Sequence, residues 1–341
     1  MNTTTFGLDI AKRTFQLYWV EVETGEIANR RFTKQQLIEF LSQRAAGCVA
    51  LEACGSAHWW ARKIAGLGHK VVLLHARFIR PFVQNNKTDA TDARAIWTAA
   101  QQPGMRSVAP KTADQQAILA VHRMRSLLVK SRTMQVNQLR GLLYEFGVTL
   151  KAGRVVGLAE VRERLHEIEQ VVPGTLFGAL RDQLHHIDLI DGEIRKLERQ
   201  IVAWQRQEAA CQRVAAIPGI GPLTATALVA TIGDPAAFKS GRELAAYLGL
   251  VPRQSGTGGK LRLGGISKRG DSYVRMLLIH GALAVMFKSR SKGAWCEQLS
   301  LRRPTNVVAV ALANKMARTA WSLLAHDSAY QKDYSSNDGL K

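Results

Sequence analysis

Thr4-Thr5-Phe6-Gly7-Leu8-Asp9-Ile10-Ala11-Lys12 is a short β-prone run, Thr4 to Leu8, that ends on an acid. Phe15 to Val22, rich in Tyr, Trp and Val, reads as a second strand, and Thr24-Gly25 supplies turn chemistry into a third, Ile27 to Phe32. Thr33 with Gln36 three residues on predicts a capping box, opening a helix to about Arg44. Cys48 to Leu51 is a fourth strand. Ser56 reads as the cap of a helix through Ile64 that ends near Gly68, and Lys70 to Leu74 as a fifth strand. A last helix begins near Asp89 and runs towards Ala100.

Three strands, helix, strand, helix, strand, helix is the order of a ribonuclease-H-like (RuvC-like) α/β domain. In that topology Asp9 ends the first, central strand and Glu52 ends its neighbour, the fourth. Asp89 and Asp92, three apart, share one face of the last helix's first turn. Four carboxylates from three segments can then converge. Like charges a few Å apart repel strongly unless cations lie between them. An oxygen-only ligand set suits Mg²⁺, or Mn²⁺. Two such ions ~4 Å apart serve phosphodiester chemistry by activating a nucleophile and stabilising the leaving oxygen. Taken singly, each acid also reads as a cap or surface charge, and acids favour helix N-termini in any case.

The 341 residues suit two or three domains, and the 46% apolar share is ordinary. The formal charge of +20 is not, and it points to a polyanionic partner. A spanning segment is not expected: the longest apolar run, Met276 to Phe287, contains His280 and Gly281 and falls short of the ~20 residues a bilayer needs. No basic leader with an apolar stretch is visible at the start, and Cys48, Cys54, Cys211 and Cys296 show no metal-ligand spacing. A reducing, cytoplasmic setting is the expectation.

From Gln115 to Tyr144 there is no carboxylate, while Arg123, Arg125, Lys130, Arg132 and Arg140 all occur in a helical apolar pattern. One-signed charge on a long helix points to phosphate contact. Ile187, Ile190, Ile194, Leu197, Ile201 and Trp204 recur at steps of three and four, a coiled-coil seam whose partner is either the earlier helix or another subunit. Lys151 to Gly157 and Val172 to Gly174 read as breaks between them. Ile217-Pro-Gly-Ile-Gly221 before Leu223 to Ile232 matches a helix-hairpin-helix, with Gly219 and Gly221 exposing backbone N–H groups to phosphate. The Gly-rich loop Gly249 to Lys260 follows, then Leu263 to Asp271, bringing Arg253, Lys260, Arg262, Lys268 and Arg269; Lys239, Arg242 and Arg275 add to the basic density. The spacing of a Walker loop is missing. Two hydroxyls, Ser255 and Thr257, lie among these cations, where a serine alkoxide can attack a phosphodiester.

FGLDIAK with Asp9, LEACGS with Glu52, NKTDATDARAI with Asp89 and Asp92, IPGIGPLTA, GLVPRQSGTGGK with ISKRGD, and ANKMARTAW from Ala313 to Trp321 together resemble the DEDD-type insertion-sequence transposases. This is the family related to the Piv/MooV DNA invertases. The resemblance runs from Phe6 to about Ala325. It implies a RuvC-like catalytic domain (1–110), a basic helical coiled-coil domain (111–208) and a mainly helical C-terminal transposase domain (209–326); the polar composition of 327–341 reads as a disordered tail. It implies Mg²⁺ on Asp9, Glu52, Asp89 and Asp92, and a loop serine that becomes covalently joined to cleaved DNA. Ser255 is favoured over Thr257 by the Ser-Gly-Thr match, although many relatives carry a longer loop there. It further implies donor and target DNA, a structured bridge RNA from the same element as guide, and a homodimer or homotetramer. Three rivals follow from the residues: a resolvase-like Mg²⁺ nuclease without a covalent intermediate; a sugar-kinase or actin-like ATPase, since Gly7 to Lys12 is similar to its first phosphate loop; and a non-catalytic nucleic-acid scaffold.

Overall fold

The computed structural model describes residues 3–84, 88–288 and 293–331. The chain forms two compact units, Met1–Gln116 with Ile232–Lys239, and Ala117–Thr231 with Ser240–Lys341.

In the first unit, β1 (Thr5–Ile10), β2 (Phe15–Val20) and β3 (Ile27–Phe32) lead into α1 (Lys34–Ser42). Then come β4 (Cys48–Glu52), α2 (Ala57–Ala65), β5 (Lys70–Leu74), α3 (Ala76–Ile79), α4 (Asp89–Ala100) and β6 (Ser107–Val108). The sheet order is β3-β2-β1-β4-β5-β6. β1 pairs antiparallel with β2 and parallel with β4; β5 runs parallel to β4 and antiparallel to β6. Alternation divides the side chains between two faces. Phe6, Leu8, Val49, Leu51 and Leu73 join Leu37, Leu41, Trp60 and Ile64 of α1 and α2 in one core. Ala50 and Leu74, pointing the other way, join Ala95, Ile96 and Ala99 of α4.

Gly7 fixes how closely α4 lies on the sheet. A Cβ there would stand 2.3 Å from the Ala93 carbonyl oxygen and 2.6 Å from the Trp97 nitrogen. Trp97 Nε1 donates to Thr5 O at 3.0 Å, and Asn29 Nδ2 to Ala90 O at 3.2 Å. Thr88 caps α4 reciprocally with Thr91.

The Thr33–Gln36 capping box forms as expected, and β5 and α4 carry their expected bounds. Two local expectations are corrected, and two elements are new. β2 stops at Val20, because the hairpin closes over a longer turn in which Gly25 N donates to Glu21 O and Glu21 N to Glu26 O. Ser56 sits at φ 66 and makes no side-chain cap bond, so α2 begins without one. α3 and β6 had no counterpart in the sequence reading. Asn86 and Lys87 of the NKTDATD motif lie outside the described residues, as do 332–341 of the polar tail.

The second unit carries α5 (Ala113–Glu145, whose first turn belongs to the first unit), α6 (Arg154–Glu163), α7 (Leu165–Val171) and α8 (Gly174–Gln207). It continues with α9 (Ala209–Ala215), α10 (Pro222–Ile232), α11 (Gly241–Tyr247), β7 (Pro252–Thr257), β8 (Lys260–Ile266), α12 (Ser272–Lys288), α13 (Ala294–Ser300) and α14 (Thr305–Ala325). The partner of the α8 seam is α5. Arg125 bonds Glu198, Arg132 bonds Asp191 and Gln183 bonds Gln135 and Gln138, so the two helices run antiparallel. Each is about 50 Å long at 1.5 Å per residue. Val136, Leu139, Leu143, Leu180, Leu184 and Ile187 fill one end beneath α6 and α7, and Ile118, Ile201 and Ala230 fill the other. His122, buried on α5, bonds the Tyr273 hydroxyl of α12 (3.0 Å) and the Thr226 hydroxyl of α10 (2.9 Å). Burial first, then Arg125, pushes its pKa down to about 4, so the ring is neutral there. Gly219 and Gly281 approach closely enough that a Cβ on either would strike the other's carbonyl oxygen. No helix among the described residues is long and apolar enough to cross a membrane.

Gly7→Ala should destabilise the protein by about 1–3 kcal/mol through overpacking of α4 against β1. Gly178→Ala in α8, where an added Cβ meets nothing within 4 Å, should instead stabilise it by about 0.5–1 kcal/mol. Urea midpoints of the two variants check this, and equal shifts would contradict the packing described.

Candidate active site

Asp9 follows Gly7 by two residues on β1, so both face α4. α4 runs back along β1: Trp97 meets Thr5, Ala93 lies over Gly7, and the first turn, with Asp89 and Asp92, comes towards Asp9. Glu52 is the last residue of β4, one step beyond the Leu8–Leu51 pair, and points to the same face as Ala50. Strand alternation and the close seating of α4 thus aim four carboxylates at one end of the sheet.

Their electrostatics record that convergence. The Asp9 carboxyl is pushed up from 3.8 to about 6, first by burial and then by the charges of Asp92, Asp89 and Glu52. Arg31 reaches Asp89 at 3.7 Å, an exposed pair that offsets little of this repulsion. Among the described residues no three His, Cys, Asp or Glu side chains stand close enough to hold a metal ion. The acids therefore act on Asp9 through their charges without closing into a ligand shell. As a donor set, four carboxylates on a half-buried site fit a hard divalent cation and no soft one. Cys54, exposed, lies near enough to Glu52 and Asp9 to feel their charge; burial first and then Glu52 raise its thiol pKa.

The basic residues expected at nucleic acid fall into two groups. Arg125 pairs with Glu198 (2.6 Å), Arg132 with Asp191, and Arg140 donates to the Gly153 carbonyl (2.9 Å) and to that of Lys151. These three cations are spent inside the helical hairpin, while Arg123 and Lys130 are exposed on α5. The Gly-rich loop is in fact a β-hairpin: β7 and β8 pair antiparallel around Gly258-Gly259, both at positive φ. Ser255 lies opposite Arg262 and Thr257 opposite Lys260, so by alternation Ser255, Thr257, Lys260 and Arg262 share one exposed face, and Arg253 is exposed at the register irregularity that precedes them. Leu261 and Leu263, both exposed, occupy the other. Lys268 and Arg269 are exposed just beyond β8. Arg275, counted with them in the sequence, is buried and donates to the Leu248 (2.9 Å) and Arg269 (2.6 Å) carbonyls, a structural task. Gly221 is exposed before α10, whereas Gly219 is packed on Gly281. Gly7, similar in sequence to the start of a phosphate loop, serves instead to seat α4 on β1, a role signalled only by a glycine in an otherwise β-prone run.

Two family models match. One, described as a transposase of the DEDD class, covers residues 6–147, and one described as the transposase IS116/IS110/IS902 family covers 211–295. A Pseudomonas aeruginosa protein described as a "Probable family 20 transposase" is 45% identical over 97% of this chain and 99% of its own length. The transposase for insertion sequence element IS1328 of Yersinia enterocolitica is 39% identical over 97% and 99%, and that for IS1111A of Coxiella burnetii 38% over 95% and 90%. The protein is thus a DNA transposase, an enzyme of recombination. It belongs to the IS110/IS116 family of insertion-sequence transposases.

Because folded Asp9 holds its proton more tightly than the unfolded chain does, the native state binds more protons between pH 3.8 and about 6. Its contribution to stability is therefore present at low pH and lost as pH rises through about 6. Without divalent cations, Asp9→Asn should stabilise the protein at pH 7.5 by on the order of 1 kcal/mol, discounted for partial exposure, and the gain should shrink towards pH 4. Urea titrations of variant and wild type across that range check this, and a gain that grows as pH falls would contradict it.

Proposed function

We propose that the first unit is a ribonuclease-H-like nuclease domain whose acids, Asp9, Glu52, Asp89 and Asp92, hold Mg²⁺ (Mn²⁺ serving as well) and cut DNA. The observation that carries this reading is the convergence of acids from β1, β4 and α4 on one end of the sheet in a chain of net charge +20; burial first, and then the three other acids, raises the Asp9 carboxyl there. The strand order β3-β2-β1-β4-β5 supports it. Bound there, the ion would act as a Lewis acid on a phosphodiester oxygen. The chain's own contribution is to collect the carboxylates at one end of a rigid sheet and to keep Asp9 out of bulk water.

Ser255 is the proposed nucleophile. Its Oγ gives up a proton and bonds to phosphorus while the strand's leaving oxygen departs and is protonated; the reverse reaction rejoins strands. Lys260 and Arg262 on the same hairpin face, with Arg253 exposed on the same strand, favour the alkoxide and the anionic phosphoryl group. Arg123, Lys130, Lys268, Arg269 and the exposed N-terminus of α10 behind Gly221, read as part of a helix-hairpin-helix, would hold the backbone. A three-domain division at 110 and 208, a guide RNA from the same element and a dimeric or tetrameric assembly complete the proposal on the strength of the family resemblance.

The test is incubation with the element's ends, target DNA, the flanking transcript and Mg²⁺, followed by denaturing gels for a protein–DNA adduct. Wild type and Thr257→Ala should form the adduct, Ser255→Ala should not, and Asp9→Asn should bind DNA yet lose strand cleavage by about 100-fold or more. Nicking with no adduct would favour the resolvase-like route. Recombination without RNA would remove the guide, and full activity in Asp9→Asn would overturn the metal role.

A further inference from the structure

We propose that Trp59, backed by Lys34, is a stacking platform for an unpaired DNA base at the same end of the sheet as the four carboxylates. Trp59 lies in the first turn of α2 and is 40% exposed, whereas its neighbour Trp60 is 4% exposed. Trp60 meets Phe15 edge-on at 4.7 Å and Trp59 edge-on at 4.9 Å and 89°, so the exposed ring is held by a buried one. Lys34 Nζ stands 4.5 Å from the Trp59 ring centroid. At the first position of α1 a lysine opposes the helix dipole, so helix stability does not account for it. Its interaction is with the indole.

Topology sets the location. The C-terminal end of β1 (Asp9), the start of β2 (Phe15), the end of β3 (Phe32, paired with Phe15) and the end of β4 (Glu52) share one end of the sheet. α1 and α2 start from that end on the face opposite α4, which places Lys34 and Trp59 at the same end as the acids. The β1–β2 turn adds Lys12 and Arg13, both exposed, and Lys63 stands exposed one helical turn after Trp59. An exposed indole among lysine and arginine side chains matches the two needs of a single strand: a π-face for a base and cations for the flanking phosphates. A paired duplex hides its base faces and offers only the second. Cutting and rejoining strands exposes unpaired bases beside the reacting phosphate, so the platform would hold the strand as it enters the acid cluster. The inference rests on the reading of that cluster as the DNA-cutting site.

The full chain, in EDTA, is titrated against a labelled oligothymidine and against a duplex. Trp59→Ala should weaken single-strand binding about tenfold, Trp59→Phe should recover most of it, and duplex binding should change by less than about twofold. Unchanged single-strand affinity in Trp59→Ala, or equal losses on both ligands, would overturn the proposal. Photocrosslinking of wild type with an oligonucleotide carrying 5-iodouracil removes any dependence on the variant's folding. The adduct should map to Trp59, and an adduct elsewhere, or one formed only with RNA, would refute it. Crosslinking is repeated in Asp9→Asn, where the adduct should persist. Loss of the metal reading with the adduct intact, or the reverse, therefore separates failure of the acid site from failure of the platform.

Discussion

The first unit depends on one packing constraint, the contact of α4 with the β1 backbone at Gly7. With no side chain there, Ala93 and Trp97 sit directly on the strand, and Trp97 can reach the Thr5 carbonyl. Everything towards the helix's start then follows geometrically. Asp89 and Asp92, one turn and less before Ala93, are carried over Asp9, and Glu52 comes from the adjacent strand. The arrangement is electrostatically unfavourable by construction. Its cost is visible in the raised Asp9 carboxyl, and apolar packing of Ala95, Ile96 and Ala99 under α4 offsets it. Sites that gather like charges at the expense of stability are where chemistry is expected.

The second unit handles charge in the opposite way. Arg125 and Arg132 are matched by Glu198 and Asp191 across the α5–α8 hairpin, Arg154 of α6 adds to Asp191, and His122 stays neutral between two hydroxyls. Breaking one partner of such a pair leaves an uncompensated charge, so these contacts fix the register of the hairpin more than they add net stability. The surplus of positive charge stands on exposed residues of the β7–β8 hairpin and its continuation, Arg253, Lys260, Arg262, Lys268 and Arg269.

Much of this was legible in the sequence because local chemistry and tertiary demand agree. β1 and β5 are short β-prone runs, α1 carries the Thr33–Gln36 capping box, and the acids fall at element ends where topology brings them together. What was not legible depended on distant partners. The one-signed charge of α5 read as a phosphate surface because the acids that neutralise Arg125 and Arg132 come 73 and 59 residues later. Glycines hid the alternation of β7 and β8, so a hairpin read as a loop, and Ser56 read as a cap although its backbone is left-handed and its side chain makes no cap bond to α2. Lys34 and Trp59 belong to different elements, and only the pairing of β2 with β3 and the packing of α2 bring them into contact.

The central claim is that Asp9, Glu52, Asp89 and Asp92 form one electrostatic unit suited to a divalent cation. Manganese titration of the full chain, with free Mn²⁺ followed by electron paramagnetic resonance, measures it directly. The account predicts saturable binding in the wild type that is abolished in Asp9→Asn and equally in Asp92→Asn, although the two residues lie on different elements. Binding unchanged in either variant would contradict it.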